Sequence, residues 1–375
     1  MTPHRPHTTD TTATKEENLA LRRTPLHRRA YFGTRRFWIS HRLGTVAAFL
    51  GCLTAATTLT ASPGAAMTGT DPQTVDTSHF QADNGAYVAE TKQLGERVID
   101  LGIDSPSLGA KVPVRVILPP SWSPDSGRTF PTLYLLQGAS DDYTSWTRET
   151  DIEELASHTD VIIVTPEGGR AGFYTNWWNY GQEGGPDWET FHTEELPQIL
   201  ERGFRANDRR AVIGMSEGGL GALNYAARHT GEYVFAGSFS GVTDLDDQAL
   251  RSGIVLTCAR EGVDAMRLWG DPVRNRALWD AHNPARMVSR FRGVKVHLSA
   301  AAGLPGPLDR NTPREAGLLE APSYQPTARF ADRLRKAGVD VTSNLYLTGT
   351  HSWPYWAREL HVAWPSVLSA LQVSS

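Results

Sequence analysis

The run Ala211-Val212-Ile213-Gly214-Met215-Ser216-Glu217-Gly218-Gly219-Leu220 constrains the fold more than any other stretch of this 375-residue chain. An apolar run enters a turn flanked by Gly214 and Gly218, and a helical pattern leaves it. Such a turn is too tight for side chains at its flanks. It holds the central serine strained, with the hydroxyl raised above the end of a sheet. The rest of the chain agrees with a strand that feeds a helix. Runs at residues 112–118, 131–136, 161–165, 211–214, 235–239, 294–298 and 341–347 predict strands, and residues 190–202, 218–229, 328–337 and 356–371 predict helices. Several of these runs are apolar throughout, as in strands buried on both faces. The pattern predicts an α/β chain with a mainly parallel central sheet and helices on both sides. No long linker interrupts residues 95–375, which read as one catalytic domain.

The N-terminal part reads differently. Residues 1–42 form a basic extension rich in Arg and His, residues 43–66 an apolar core followed by small residues, and residues 67–94 a polar linker. A basic arm, an apolar core and a small-residue exit describe a signal peptide, with an uncleaved anchor as the alternative. The chain is therefore expected to be secreted or in the cell envelope. The general secretory route would serve, and Arg35-Arg36 is compatible with the twin-arginine route. Of the two cysteines, Cys52 lies in the apolar segment and Cys258 alone in the exported part, so Cys258 is expected as a buried small hydrophobe. A formal net charge of −4 gives no reason to expect a nucleic-acid partner. No metal cluster, nucleotide loop or haem motif stands in the sequence, so no cofactor is expected.

A serine at such a turn points to nucleophilic catalysis on the α/β-hydrolase fold, where the chain order is serine, acid, histidine. His351 follows the last predicted strand and opens a loop into the last helix, which is where that fold places its base. His282, His297 and His361 lack this setting. The acid must follow the strand expected at residues 294–298. Asp309, Glu315 and Glu320 are the candidates, all within a Gly- and Pro-rich loop at residues 302–326, and spacing does not choose among them. Two N–H groups should receive the oxyanion: that of Glu217 at the helix start, and that of Ala139, after the buried strand that ends at Gly138.

These residues, with others, resemble the secreted mycolyltransferases of mycobacteria and corynebacteria, the antigen 85 type, in the esterase-D-like branch of the α/β-hydrolases. The resemblance covers most of residues 130–370. It rests on Tyr134-Leu135-Leu136-Gln137-Gly138 with Trp146, on Phe173-Tyr174-Thr175-Asn176-Trp177, and on Gly214-Met215-Ser216. It continues through Ala236-Gly237-Ser238-Phe239-Ser240, Leu268-Trp269-Gly270 and Gly303-Leu304-Pro305-Gly306 to Gly349-Thr350-His351-Ser352-Trp353. The family implies a serine–glutamate–histidine triad whose glutamate lies just before the helix preceding the last strand. That choice selects Glu320, with Asp309 as the runner-up. It also implies an acyl-serine intermediate, an acyl-lipid donor, and a sugar acceptor such as trehalose or cell-wall arabinogalactan.

The sugar contacts that the resemblance carries over are Ser238, Ser352 and Trp353. Where mycobacterial members have an aspartate before the oxyanion glycine, this chain has Gln137. It has Ser140 for an arginine two residues after that glycine, and Glu149 for an asparagine. Gln137 can still bond a hydroxyl but without the charge-assisted strength of a carboxylate. The aromatic group Trp177, Trp178, Tyr180 and Trp188 could line a groove or simply pack. Two further readings stand beside acyl transfer: a secreted carboxylesterase for simpler esters, and a non-catalytic envelope binding protein on the same fold.

Overall fold

The computed structural model describes residues 80–310 and 312–374. The basic extension, the apolar segment and residues 67–79 lie outside the described residues. A nine-stranded sheet runs through the domain in the order β1-β2-β3-β5-β4-β6-β7-β8-β9. Its strands are β1 (Tyr87–Gln93), β2 (Val98–Ser105), β3 (Ala110–Ile117), β4 (Phe130–Leu136), β5 (Ile162–Pro166), β6 (Ala206–Met215), β7 (Tyr233–Phe239), β8 (Lys295–Leu304) and β9 (Val341–Thr348). The first three pair antiparallel, and β3 pairs antiparallel with β5. From β5 through β4 to β9 every pairing is parallel. The mainly parallel sheet expected from the apolar runs is present. β5 lies on one side of β4 and β6 on the other, so the winding reverses at β4. Open α/β sheets bind ligands at the carboxyl ends of the strands at such a point.

Helices cover both faces. In chain order they are α1 (Ser145–Glu149), α2 (Ile152–Ala156), α3 (Trp188–Thr190), α4 (Leu196–Gly203), α5 (Glu217–Arg228), α6 (Gln248–Arg260), α7 (Met266–Trp269), α8 (Arg276–Ala281), α9 (Glu315–Lys336) and α10 (Trp353–Leu371). The pleat of β4 divides the core. Tyr134 and Leu136 point to one face, with Leu200 of α4, Leu223 of α5, and Phe330 and Leu334 of α9. Leu133 and Leu135 point to the other, with Trp146 of α1 and Trp356, Leu360 and Val367 of α10. Alternation with both directions buried makes β4 apolar at almost every position.

Two expectations need correction. The polar linker does not extend to residue 94, because β1 is the edge strand of the sheet. Only Val88 of β1 is buried, so the strand carries almost no apolar pattern to read. The segment before it is also docked: Phe80 packs on Phe204 at 6.3 Å between ring centroids, and Asn84 Nδ2 donates to Glu195 Oε1 at 2.6 Å. The second correction concerns the stretch 302–326, whose second half is helix. α9 starts at Glu315 and contains Pro322 and Pro326. Its buried residues Ala316, Glu320, Ser323, Thr327, Phe330 and Leu334 recur at helical spacing. Packing of that stripe outweighs the helix-breaking tendency of the two prolines.

Candidate active site

Ser216 sits between β6 and α5 with φ 55° and ψ −119°, a conformation that an L-residue adopts only under constraint. The glycines around it are obligatory. A Cβ on Gly214 would lie 2.0 Å from Gly218 O, and one on Gly218 would lie 2.4 Å from Gln137 O. The Ser216 N–H donates to Phe239 O at 2.9 Å, which ties the turn to the end of β7. Gly138 passes close enough that a Cβ there would stand 3.3 Å from Ser216 Cβ. Among the described residues, neither the Ala139 N–H nor the Glu217 N–H has an acceptor. Both belong to segments adjoining Ser216, and both are free to receive a developing negative charge. The side chain of Glu217 turns inward. It is 3% exposed, and its Oε1 accepts from Phe173 N at 2.6 Å. Burial pushes its carboxyl up to about 8.

His351 and Glu320 come together. His351 Nδ1 lies 2.8 Å from Glu320 Oε2, which leaves Nε2 as the free nitrogen. The pairing follows from the chain path. His351 leaves β9 through Gly349, whose N–H donates to Leu304 O at 2.7 Å, and its own N–H donates to Ala316 O at 3.0 Å. Glu320 is buried one helical turn further along α9. Its Oε1 accepts from Ala301 N at 2.7 Å and from Ser240 Oγ at 2.9 Å. Ser240 in turn accepts from Trp356 Nε1 at 3.0 Å. Trp356 stands edge-on to the His351 ring at 4.9 Å. Ser240, directly after Phe239, thus connects the Ser216 turn to the carboxylate. Sequence reading passed it over in favour of Ser238. The available signal was position, since Ser240 lies just beyond the carboxyl end of β7, where this kind of fold builds its sites.

The other candidates divide by location. Asp309 does not reach His351. It accepts from Gly306 N at 2.7 Å, from Tyr355 OH at 2.5 Å and from Thr350 Oγ1, so it fastens its loop to the one bearing His351. Burial works to raise its carboxyl, but the bonds from Thr350, Tyr355 and Gly306 outweigh it and hold the group below its ordinary value. Glu315 is exposed at the start of α9. Ser352 Oγ and Thr350 Oγ1 are 3.1 Å apart. Partly exposed Trp353 packs edge-on to Trp146 and to Trp356, each at 5.3 Å.

Gln137 and Ser238, expected to meet substrate, are each 1% exposed. The Gln137 amide donates inward to Asp141 O at 3.0 Å and Glu167 Oε1 at 3.1 Å. The Ser238 hydroxyl lies beneath α5, where a Cβ on Gly219 would meet it at 2.6 Å. Ser140 is held by Glu261 and Arg260 at the end of α6. The aromatic residues do not form one cluster. Trp188 stacks on buried His192 at 5.9 Å, Trp177 lies under Arg267 at 4.9 Å, and exposed Tyr180 packs on Trp178 at 6.2 Å. Cys258 is fully buried among apolar side chains.

The sheet order, the strained serine after β6 and a histidine–carboxylate pair at the ends of β9 and α9 define a serine hydrolase of the α/β-hydrolase fold. In shape the chain is similar to MPT51 of Mycobacterium tuberculosis, with a TM-score of 0.61 at 24% identity over 76% of this chain and 99% of that one. It is also similar to a fluorophosphonate-binding serine hydrolase of Staphylococcus aureus, with a TM-score of 0.56 at 18% identity over 73% and 98% of the two chains. At these identities the likeness is one of fold. In sequence, the esterase family model matches residues 105–366. The diacylglycerol acyltransferase/mycolyltransferase Ag85A of Mycobacterium leprae is 31% identical over 272 residues, covering 70% of this chain and 79% of that protein. An esterase of Mycobacterium tuberculosis is 32% identical over 295 residues, covering 73% and 61%. The chain belongs to this esterase family, with the antigen 85 mycolyltransferases among its relatives. It is an enzyme of the esterase and acyltransferase kind.

Proposed function

We propose that the protein is an exported serine acyltransferase that moves a mycolyl or other long-chain acyl group to a sugar hydroxyl, of trehalose or of a cell-wall glycan. The observation that carries the reading is the His351 Nδ1–Glu320 Oε2 contact of 2.8 Å, tied to the strained Ser216 turn through Phe239 and Ser240. His351 Nε2 takes the proton as Ser216 Oγ attacks the ester carbonyl. The tetrahedral oxyanion lies against the Ala139 and Glu217 N–H groups. Collapse breaks the ester bond, and the departing alcohol leaves with the proton from His351. Glu320 orients the imidazole through its bond to Nδ1. The acceptor hydroxyl then gives its proton to His351 and attacks the acyl-Ser216 carbonyl; the acyl–Oγ bond breaks, and Ser216 Oγ leaves with the proton returned by His351. Transfer outruns hydrolysis when the sugar is held in place better than water, and Ser352 and Trp353, which directly follow His351 in the chain, would contact it. Export rests on residues 43–66, through either route named above.

Hydrolysis of simpler esters is the second reading. It is favoured by the burial of Gln137 and Ser238, which leaves neither side chain exposed to hold an acceptor sugar. The test uses p-nitrophenyl esters and a long-chain acyl donor with trehalose. Acyl-trehalose supports transfer, and free acid alone supports hydrolysis. Ser216→Ala and His351→Ala should each lower kcat by about 10⁴-fold or more. Glu320→Gln should cost about 10²-fold or more, whereas Asp309→Asn should stay within about ten-fold of the parent. Near-full turnover in Glu320→Gln would reject this triad.

A further inference from the structure

The rim formed by the end of β8, the start of α9 and the end of β9 exposes aliphatic side chains that no core absorbs. Leu304 is 58% exposed, Leu318 77%, Leu319 53% and Leu347 71%. They belong to one neighbourhood. Leu304 pairs with Thr348, the residue after Leu347, in the β8–β9 ladder. Gly303 lies so close to α9 that a Cβ there would stand 2.2 Å from Gly317 O, directly before Leu318. Exposed aliphatic patches on a folded domain mark surfaces that meet something apolar. Saturated leucine side chains suit hydrocarbon; sugars are more often met by aromatic faces.

The patch is continuous with the site. The segment that bears these leucines also holds the His351 loop, through Ala316 O and Leu304 O and through Asp309 with Thr350. Its charge pattern narrows the partner. The Asp309 carboxylate is turned inward onto Gly306, Thr350 and Tyr355. Arg310 and Arg314 are exposed and form no ion pair among the described residues, with only Glu315 as an exposed carboxylate beside them. Leucines flanked by free guanidinium groups fit an interface where acyl chains meet phosphate headgroups.

We propose that this rim docks on an anionic lipid surface. The leucines enter the acyl layer, Arg310 and Arg314 meet the headgroups, and the His351 opening is held against the layer that supplies the acyl ester. Only that last step rests on the acyl-transfer reading; the docking itself needs no turnover.

The test therefore uses the full chain with Ser216→Ala, and with Cys52→Ser to remove a competing thiol. An environment-sensitive fluorophore is placed at Leu319→Cys, Leu347→Cys or, as a control on the opposite edge of the sheet, Leu94→Cys. With phosphatidylglycerol vesicles, emission at positions 319 and 347 should shift to the blue while position 94 stays unchanged. Arg310→Gln with Arg314→Gln should raise the lipid needed for half of the shift by about thirty-fold. The proposal is overturned if no shift occurs at 319 and 347, if 94 shifts equally, or if the shift follows protein concentration without lipid, which would indicate a second copy. Vesicle docking by this variant, with no turnover of any ester by the Ser216 parent, would refute the acyl-transfer reading and leave the docking standing.

Discussion

Ser240 shows how much of this site depends on a residue whose role its motif does not reveal. Its hydroxyl bonds Glu320 Oε1 while accepting from Trp356, so it fixes the carboxylate that fixes His351. Replacing it with alanine should remove a charge-assisted bond of about 1.5–3 kcal/mol and lower kcat about ten-fold or more with little change in KM. A KM effect without a kcat effect would contradict that role. Glu217 gives a different kind of prediction. Its folded carboxyl is raised from 4.5 to about 8, chiefly by burial. Between those values the folded chain holds a proton that the unfolded chain has lost. Stability therefore falls as pH rises through this window and levels off above it. Glu217→Gln should flatten the dependence, so denaturant unfolding at about pH 6 and about pH 8.5 should differ less in the variant than in the parent. Equal pH dependence in both would mean that Glu217 is ionised in the fold. Ser216 and His351 stand out in the sequence because their local settings are stereochemically demanding. Gln137 and Ser238 are buried, and a motif position does not say which way a side chain turns.

At the scale of elements, the sequence disclosed what is buried and hid what is not. β4 and β5 are buried along their whole length and announce themselves as apolar runs. β1 has one buried residue and reads as linker. Its pairing with β2 nonetheless covers an edge that would otherwise present unpaired backbone groups. Deleting the chain through Gln93 should therefore lower the Tm by several degrees and produce aggregation that grows with protein concentration. Unchanged melting and a monodisperse product would show β1 to be dispensable. α9 is the opposite case. Its prolines and glycines suggest a loop, and only its spacing of buried residues reveals a helix. Glu320 could be selected over Asp309 only through family resemblance, because the choice depends on where that helix begins.

For the whole molecule, the alternation of strands and helices was enough to give the sheet and the end of it where the site lies. It could not give the strand order, which is decided by contacts between distant segments. Nor could it give the direction in which the leucine rim faces, since exposed leucines and core leucines are the same letters.

Ser216, Ala139, Ser240, Glu320 and His351 each sit at the end of a different strand or on the helix beside it, and the connections there are separate stretches of chain. The sheet fixes the reacting groups, while each connection can lengthen, shorten or change character without unseating the others. Inheritance can therefore act on one loop at a time. A lineage could exchange its acceptor by rewriting the stretch after β4, or its donor by rewriting the stretch after β8, and keep the same serine, glutamate and histidine at work. In the present chain the first of these stretches contains Gln137, Ser140 and Glu149.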